Sequence, residues 1–201
     1  MAKRKLALLL TFALVAALFA GCGGKGDSKI IKIGVVLPLS GQVAAFGTSG
    51  RNGIQMLEEE TNKNGGVLGK QVKFVFQDDE GKPATAATVG TKLISEDKVV
   101  AIIGPLTSGC ANSLGPIAVS NKIPMITGTA TNPTVTVGKD YVFRTCFIDP
   151  FQGTVISKFA AEDLKAKTAA ILYDNGIDYS KGLAEFFKRG FEAAGGKIIE
   201  L

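Results

Sequence analysis

The sequence predicts an α/β protein of doubly wound parallel sheets, laid out in two successive units. Three observations carry this. Short apolar runs alternate with longer helical segments from Ile30 onward. Most of those runs are apolar throughout, as strands covered on both faces are. The strand–helix pattern then restarts after CFIDP, Cys146 to Pro150. Parallel strands need right-handed crossovers, which lay helices on both faces of the sheet.

The elements follow in order. Ile30 to Pro38, IIKIGVVLP, is a β-branched run ended by Pro and reads as the first strand. Leu39 to Gly47 reads as a loop and Thr48 to Asn62 as a helix, broken by Gly65, Gly66 and Gly69. Gln71 to Gln77 alternates as a second strand, and Lys82 to Glu96 forms a helix with Pro83 in its permitted first turn. Val99 to Ile103 is the third strand, Ser108 to Ser120 the third helix, Pro124 to Thr127 the fourth strand and Tyr141 to Thr145 a further short one. In the second unit, Pro150 to Lys165 is a helix, Thr168 to Tyr173 a strand, Tyr179 to Ala194 a helix, and Lys197 to Leu201 the start of a strand. Leu183, Phe186, Phe187, Phe191 and Ala194 share one face of the last helix at helical spacing, which marks them as core. The second unit opens and is not completed, so the sequence reads as C-terminally truncated.

The stretch from Val99 to Pro133 organises the rest. Its two turns, GPLTSG and TGTATNP, follow the carboxyl ends of strands, where open α/β sheets keep their ligand sites. The first also opens a helix, whose free N–H groups favour a small anion such as a carboxylate. Ser108 has two readings there: a helix N-cap, or a hydroxyl that joins the adjacent N–H groups in holding a ligand carboxylate.

Composition excludes several classes. Among 201 residues there is no His, which removes Ser-His-Asp and Cys-His catalysis and most zinc sites. The net charge of +5 owes three units to Lys3, Arg4 and Lys5; without them 20 basic residues face 18 acidic ones. No basic cluster interleaves with aromatics beyond the first thirty residues, so no nucleic-acid partner is expected. GxxxxGK[ST] does not occur, and no turn gives GxGxxG after a strand, which argues against a nucleotide enzyme. Neither a cofactor nor a metal is expected. Asp78 and Asp79 invite an acid–base or metal reading, but adjacent strand-end carboxylates more often cap the next helix or sit in solvent.

Residues 1–21 have the layout of a secretory signal: a basic start, then the apolar run Leu6 to Ala20, then small residues. At 15 residues the run is short for a membrane span, which needs about 20. Ala20-Gly21-Cys22 resembles a bacterial lipobox, in which Cys22 is acylated; Phe19 departs from its usual aliphatic residue, and an ordinary signal peptide is the competing reading. Residues 22–29, rich in Gly and Lys, suit a flexible tether. Cys110 and Cys146 lie in different predicted elements; two buried free thiols are expected, with a disulfide the alternative.

Four motifs in order and spacing, IKIGVVLPLSGQVAAFG, AIIGPLTSG, TGTATNP and ILYDNGIDYSKGLAEFF, resemble the branched-chain amino acid substrate-binding proteins of ABC transporters. The resemblance runs from about Lys29 to Leu201. It implies the type I periplasmic-binding-protein fold: a first lobe over residues 30–145, a hinge crossover over 146–150, and the start of a second lobe over 151–201. It implies a ligand site formed by Phe46, Ser108, Thr129, Ala130, Thr131 and Tyr179. In it, Ser108 takes the ligand α-carboxylate, Thr131 contacts carboxylate and ammonium, and the Thr129 carbonyl accepts from the ammonium. Phe46 stands where the family usually has Tyr, and Tyr179 closes the cleft from the second lobe. The family's common first-lobe disulfide is missing, its positions falling at Gly81 and Thr107.

The expected function is therefore a non-enzymatic, lipid-anchored extracytoplasmic receptor. It passes an amino acid to an ABC permease and touches the membrane through its N-terminal lipid. The rival is a sensory domain of the same fold that binds amides or other metabolites.

Overall fold

The computed structural model describes residues 29–201. The signal sequence, Cys22 and most of the tether lie outside the described residues. Among the described residues, no helix is long and apolar enough to cross a membrane.

The first unit contains β1 (Ile30–Leu37), α1 (Ala44–Lys63), β2 (Gln71–Asp78), α2 (Pro83–Ser95), β3 (Ile102–Ile103), α3 (Ser108–Ser120), β4 (Met125–Thr127) and β5 (Val142–Arg144). All five strands run parallel in the order β2-β1-β3-β4-β5. β1 lies inside the sheet, pairing Ile30 with Gln71 through Leu37 with Asp78 on one edge and Gly34 with Ile102 on the other.

Alternate residues of β1 serve opposite faces, as the pleat requires. Val36 joins Leu93, Ile102, Leu114, Met125 and Val142 in one buried cluster, under α2 and α3. Val35 and Leu37 join Val72 and Phe74 in a second, with Ile54 of α1 packed on it. The sheet is thus covered on both sides, as the doubly wound reading requires. Only the carboxyl half of β1 is fully buried.

Three expectations shift at their edges. The first helix begins at Ala44, four residues before the predicted Thr48, because Gly47 does not break it. A β-carbon at Gly47 would come within 2.0 Å of the Pro38 carbonyl oxygen, so this glycine serves close packing of α1 on the exit of β1. The third strand is regular only at Ile102–Ile103, though Val100 donates its N–H to the Lys32 carbonyl at 3.0 Å. The expected β-strand through Tyr173 stops at Ala170.

The second unit comprises α4 (Asp149–Lys158), β6 (Thr168–Ala170), α5 (Asp178–Ala193) and β7 (Lys197–Glu200), with β6 and β7 parallel. The helix predicted to Lys165 ends as an α-helix at Lys158 and continues as a wider π-turn over Phe159–Asp163. Phe191 is fully buried and stacks on Phe187 with ring centroids 5.5 Å apart, as core. Ala194, expected on that face, is exposed.

Candidate functional site

The two turns at the carboxyl ends of β3 and β4 are stitched together. The Thr127 hydroxyl donates to the Pro105 carbonyl at 2.5 Å, and the Thr129 hydroxyl to the Leu106 carbonyl at 2.7 Å. The Asn132 amide donates to Ser108 Oγ at 3.2 Å. Arg144, at the end of β5, completes the frame. Its guanidinium donates to the carbonyls of Ala130 and Asn132, each at 2.9 Å, to that of Pro133 at 3.2 Å, and to Thr136 Oγ1 at 2.7 Å.

These turns form one wall of a cleft of about 1200 Å³ that reaches across to the second unit. Phe46, Ser108, Thr129, Thr131 and Tyr179 all line it. Ala130 does not: its side chain is fully buried in the first core cluster, and its carbonyl is held by Arg144. Ser108 is the first residue of α3, with Thr107 as its N-cap, which corrects the N-cap reading of Ser108. No side chain caps α3, so its first-turn N–H groups, which have no partner inside a helix, open toward the cleft. The Thr131 hydroxyl is shielded from solvent and lies against the Asp149 carboxyl. Phe46, in the first turn of α1, is 45% exposed, and the Tyr179 hydroxyl accepts from Gln152 Nε2 at 3.0 Å. At the rim, Lys82 is paired with Glu80 at 2.6 Å, an exposed contact that contributes little.

Buried titratable groups surround this wall. Asp149 is fully buried beside Thr131, and neither carboxylate oxygen makes a hydrogen bond. Burial pushes its carboxyl above the ordinary range, against the pull of the Thr131 hydroxyl and the Arg144 charge. Asp79 is also fully buried, and burial lifts it to about 6, with the Gly81 amide opposing and the Asp78 charge adding. Neither acid of the Asp78–Asp79 pair caps α2. Asp78 Oδ1 instead accepts from the amides of Leu39 and Glu80, each at 2.8 Å, and Asp79 Oδ1 from that of Gly81 at 2.8 Å, so the pair organises two turns. Cys110 and Cys146 are free thiols that line the cleft; Cys110 is buried as expected, but Cys146 only half-buried. Burial raises both, Cys110 to about 11, so both are thiols at neutral pH. Among the described residues, no three His, Cys, Asp or Glu side chains gather to hold a metal ion.

Arg144, Asn132 and Asp149 escaped the sequence reading. A lone arginine ending the apolar run YVF was the available signal for the first, and Asn-Pro after a strand for the second, whose Oδ1 accepts the Thr134 amide at 3.0 Å.

The strand-end turns of a two-sided parallel sheet thus face a cleft shared with a second α/β unit, the place where open α/β sheets keep their ligand sites. The chain belongs to the periplasmic binding protein family, whose model matches residues 30–200. It is 38% identical over 187 residues to the Leu/Ile/Val-binding protein BraC3 of Rhizobium johnstonii, covering 92% of this chain and 50% of that one. Among solved structures it resembles the leucine binding protein LivK of Thermotoga maritima, with a TM-score of 0.81 and 41% identity over 85% of this chain and 48% of that one. It also resembles the branched-chain amino acid transporter substrate binding protein LivJ of Streptococcus pneumoniae in complex with isoleucine, with a TM-score of 0.80 and 38% identity over 85% of this chain and 48% of that one. The chain spans about half the length of these relatives.

Proposed function

We propose that this protein is an extracytoplasmic receptor that binds a branched-chain amino acid and delivers it to an ABC permease. The observation that carries the reading is the cleft wall itself. The uncapped start of α3, Ser108 and Thr131 line one cavity. An amino acid brings the complementary groups: a carboxylate for the helix N-terminus and Ser108, and an ammonium for Thr131 and the Thr129 carbonyl. Phe46 and Leu106 offer apolar surface for an aliphatic side chain, and Tyr179 covers the ligand from the second unit. The donors are fixed before the ligand arrives, so little ordering opposes binding. The kinship with Leu/Ile/Val-binding proteins supports the same ligand class. No covalent step is involved. Residues 1–21 direct export, and acylation of Cys22 anchors the protein to the membrane beside its permease.

Calorimetry of the full-length protein against leucine, isoleucine and valine tests this. Saturable binding of at least one, lost with the corresponding amide that lacks the carboxylate, is the expected result. Equal binding of acid and amide would remove the carboxylate role, and no binding of any would sink the reading.

A further inference from the structure

A buried acid stands directly behind the seat that the start of α3 offers an anion. Ala111 makes the first bond inside that helix, its N–H donating to the Thr107 carbonyl at 2.9 Å. The N–H groups of Ser108, Gly109 and Cys110 therefore precede the helix ladder, and all three residues line the cleft. Asp79 lies one layer deeper, fully buried, in the turn that leads from β2 to α2. Its backbone is tied on both sides: its N–H donates to the Leu37 carbonyl at 3.0 Å, and its carbonyl accepts from the Lys82 amide at 2.8 Å. The Gly81 amide donates to its Oδ1 at 2.8 Å, and the Cys110 thiol lies against the carboxyl. Gly81 and Cys110 line the cleft, whereas Asp79 does not. One layer of residues thus separates this carboxyl from the ligand's space.

The groups around Asp79 leave its charge uncompensated. Asp78, beside it at the strand end, is a second acid, whose Oδ1 is taken by the amides of Leu39 and Glu80. Cys110 keeps its proton to about 11, because burial raises it, and so brings no charge. Lys82 pairs with Glu80 at the exposed rim. The exit of β1 from Leu37 to Leu39 and the first turn of α2 from Pro83 to Ala86 carry no titratable side chain. No cation is among the groups that act on Asp79, and burial lifts its carboxyl to about 6. A ligand carboxylate seated on α3 adds a second negative charge across that one layer, where a poorly solvated wall screens it weakly. Both charges also draw on the same helix N-terminus.

We propose that Asp79 sets how strongly this seat takes a carboxylate: ionised, it repels the ligand's anionic end from behind the wall, and protonated, it leaves the seat at full strength. The inference rests on the receptor reading, which supplies the carboxylate. Coupling of this kind is reciprocal, so a proton on Asp79 tightens leucine binding and bound leucine tightens the proton. Leucine binding near pH 6 to 7 therefore takes up a proton. Asp149, the other buried acid of the wall, acts with the opposite sign. It sits beside Thr131, where a ligand ammonium favours the charged carboxylate and releases a proton.

Leucine calorimetry of the full-length protein at pH 5 and pH 8, with the heat at pH 6.5 compared in two buffers of different ionisation enthalpy, tests this. The native protein should bind leucine tighter at pH 5 by about fivefold or more, and should take up protons at pH 6.5. Asp79→Asn should bind at pH 8 about as tightly as native does at pH 5, and should lose both the slope and the uptake. An affinity that is level from pH 5 to pH 8, or a slope that survives Asp79→Asn, overturns the inference while leaving the receptor reading intact. Should Asp79→Asn fail to fold, the native proton exchange decides: uptake supports the inference, and release or no exchange overturns it. Native protein that takes up no leucine, isoleucine or valine at either pH overturns the receptor reading and this inference with it.

Discussion

Ser108 Oγ accepts the Asn132 amide at 3.2 Å, which joins the two turns of the cleft wall through one hydroxyl. The hydroxyl's own proton remains for a ligand oxygen. Ser108→Ala removes both interactions at a site 2% exposed, leaving the Asn132 N–H orphaned. We expect ligand affinity to fall by about 1.5–3 kcal/mol, the contribution of a hydrogen bond to a charged group. Calorimetry showing native affinity in the variant would remove Ser108 from the site.

Asp79 predicts a pH dependence with a definite sign. Its folded value of about 6 lies above the unfolded 3.8, so the folded protein binds the proton more tightly. Stability is therefore greatest below about 4, falls as pH rises toward 6, and is level above that as far as this group is concerned. Asp79→Asn keeps an oxygen for the Gly81 amide and carries no charge. It should be more stable than native by about 1–3 kcal/mol at pH 8 and indistinguishable near pH 4. Urea melts at the two pH values measure this, and an equal offset at both would remove the carboxylate as the cause.

Arg144→Lys tests the frame of the second turn. A lysine offers a single ammonium where the planar guanidinium spans three carbonyls and a hydroxyl. We expect a loss of about 2 kcal/mol in unfolding free energy together with weaker ligand binding. Native stability in a denaturant titration would show that the turn holds without the fork.

Two helical glycines should respond to alanine with opposite signs. A β-carbon at Gly153 of α4 would stand 2.5 Å from Phe186 Cβ and 2.8 Å from its carbonyl carbon, a backbone atom that cannot step aside. Gly153→Ala should cost about 1–3 kcal/mol. At Gly53 of α1 nothing lies within 4 Å, so Gly53→Ala should stabilise by about 0.5–1 kcal/mol through helix propensity alone. Thermal unfolding of the pair reads both, and the same sign for both would contradict the packing account.

Cys22→Ser should release the protein from membranes into the soluble extracellular or periplasmic fraction. Continued pelleting with membranes would refute the acylation of Cys22.

Much of the fold was readable because local signals and tertiary packing agree. The helix Ser108–Ser120 was expected and found with the same ends, since a strand-end turn opens it and buried Leu114 and Ala118 fix its inner face. Gly47 misled because a glycine that breaks a helix and one that admits a close neighbour look alike in sequence. Ser108, Thr129 and Thr131 line the cleft because strand ends and turn residues mark it locally. The contact of Asn112 with Asp178 spans 66 positions and depends on how α5 docks on α3, which no periodicity encodes. Likewise, the lone Arg144 after YVF stands out in sequence, but its spacing does not tell that its fork will bind carbonyls 11 to 14 residues earlier.

The strand order β2-β1-β3-β4-β5 carries a consequence for biogenesis. β2 pairs with β1, β3 takes the other edge of β1, β4 adds to β3, and β5 adds to β4. Each strand of this sheet after β1 therefore finds a partner among residues already synthesised. A chain that emerges amino end first can lay the sheet down one strand at a time, and only β1 waits with two bare edges, until β2 is made.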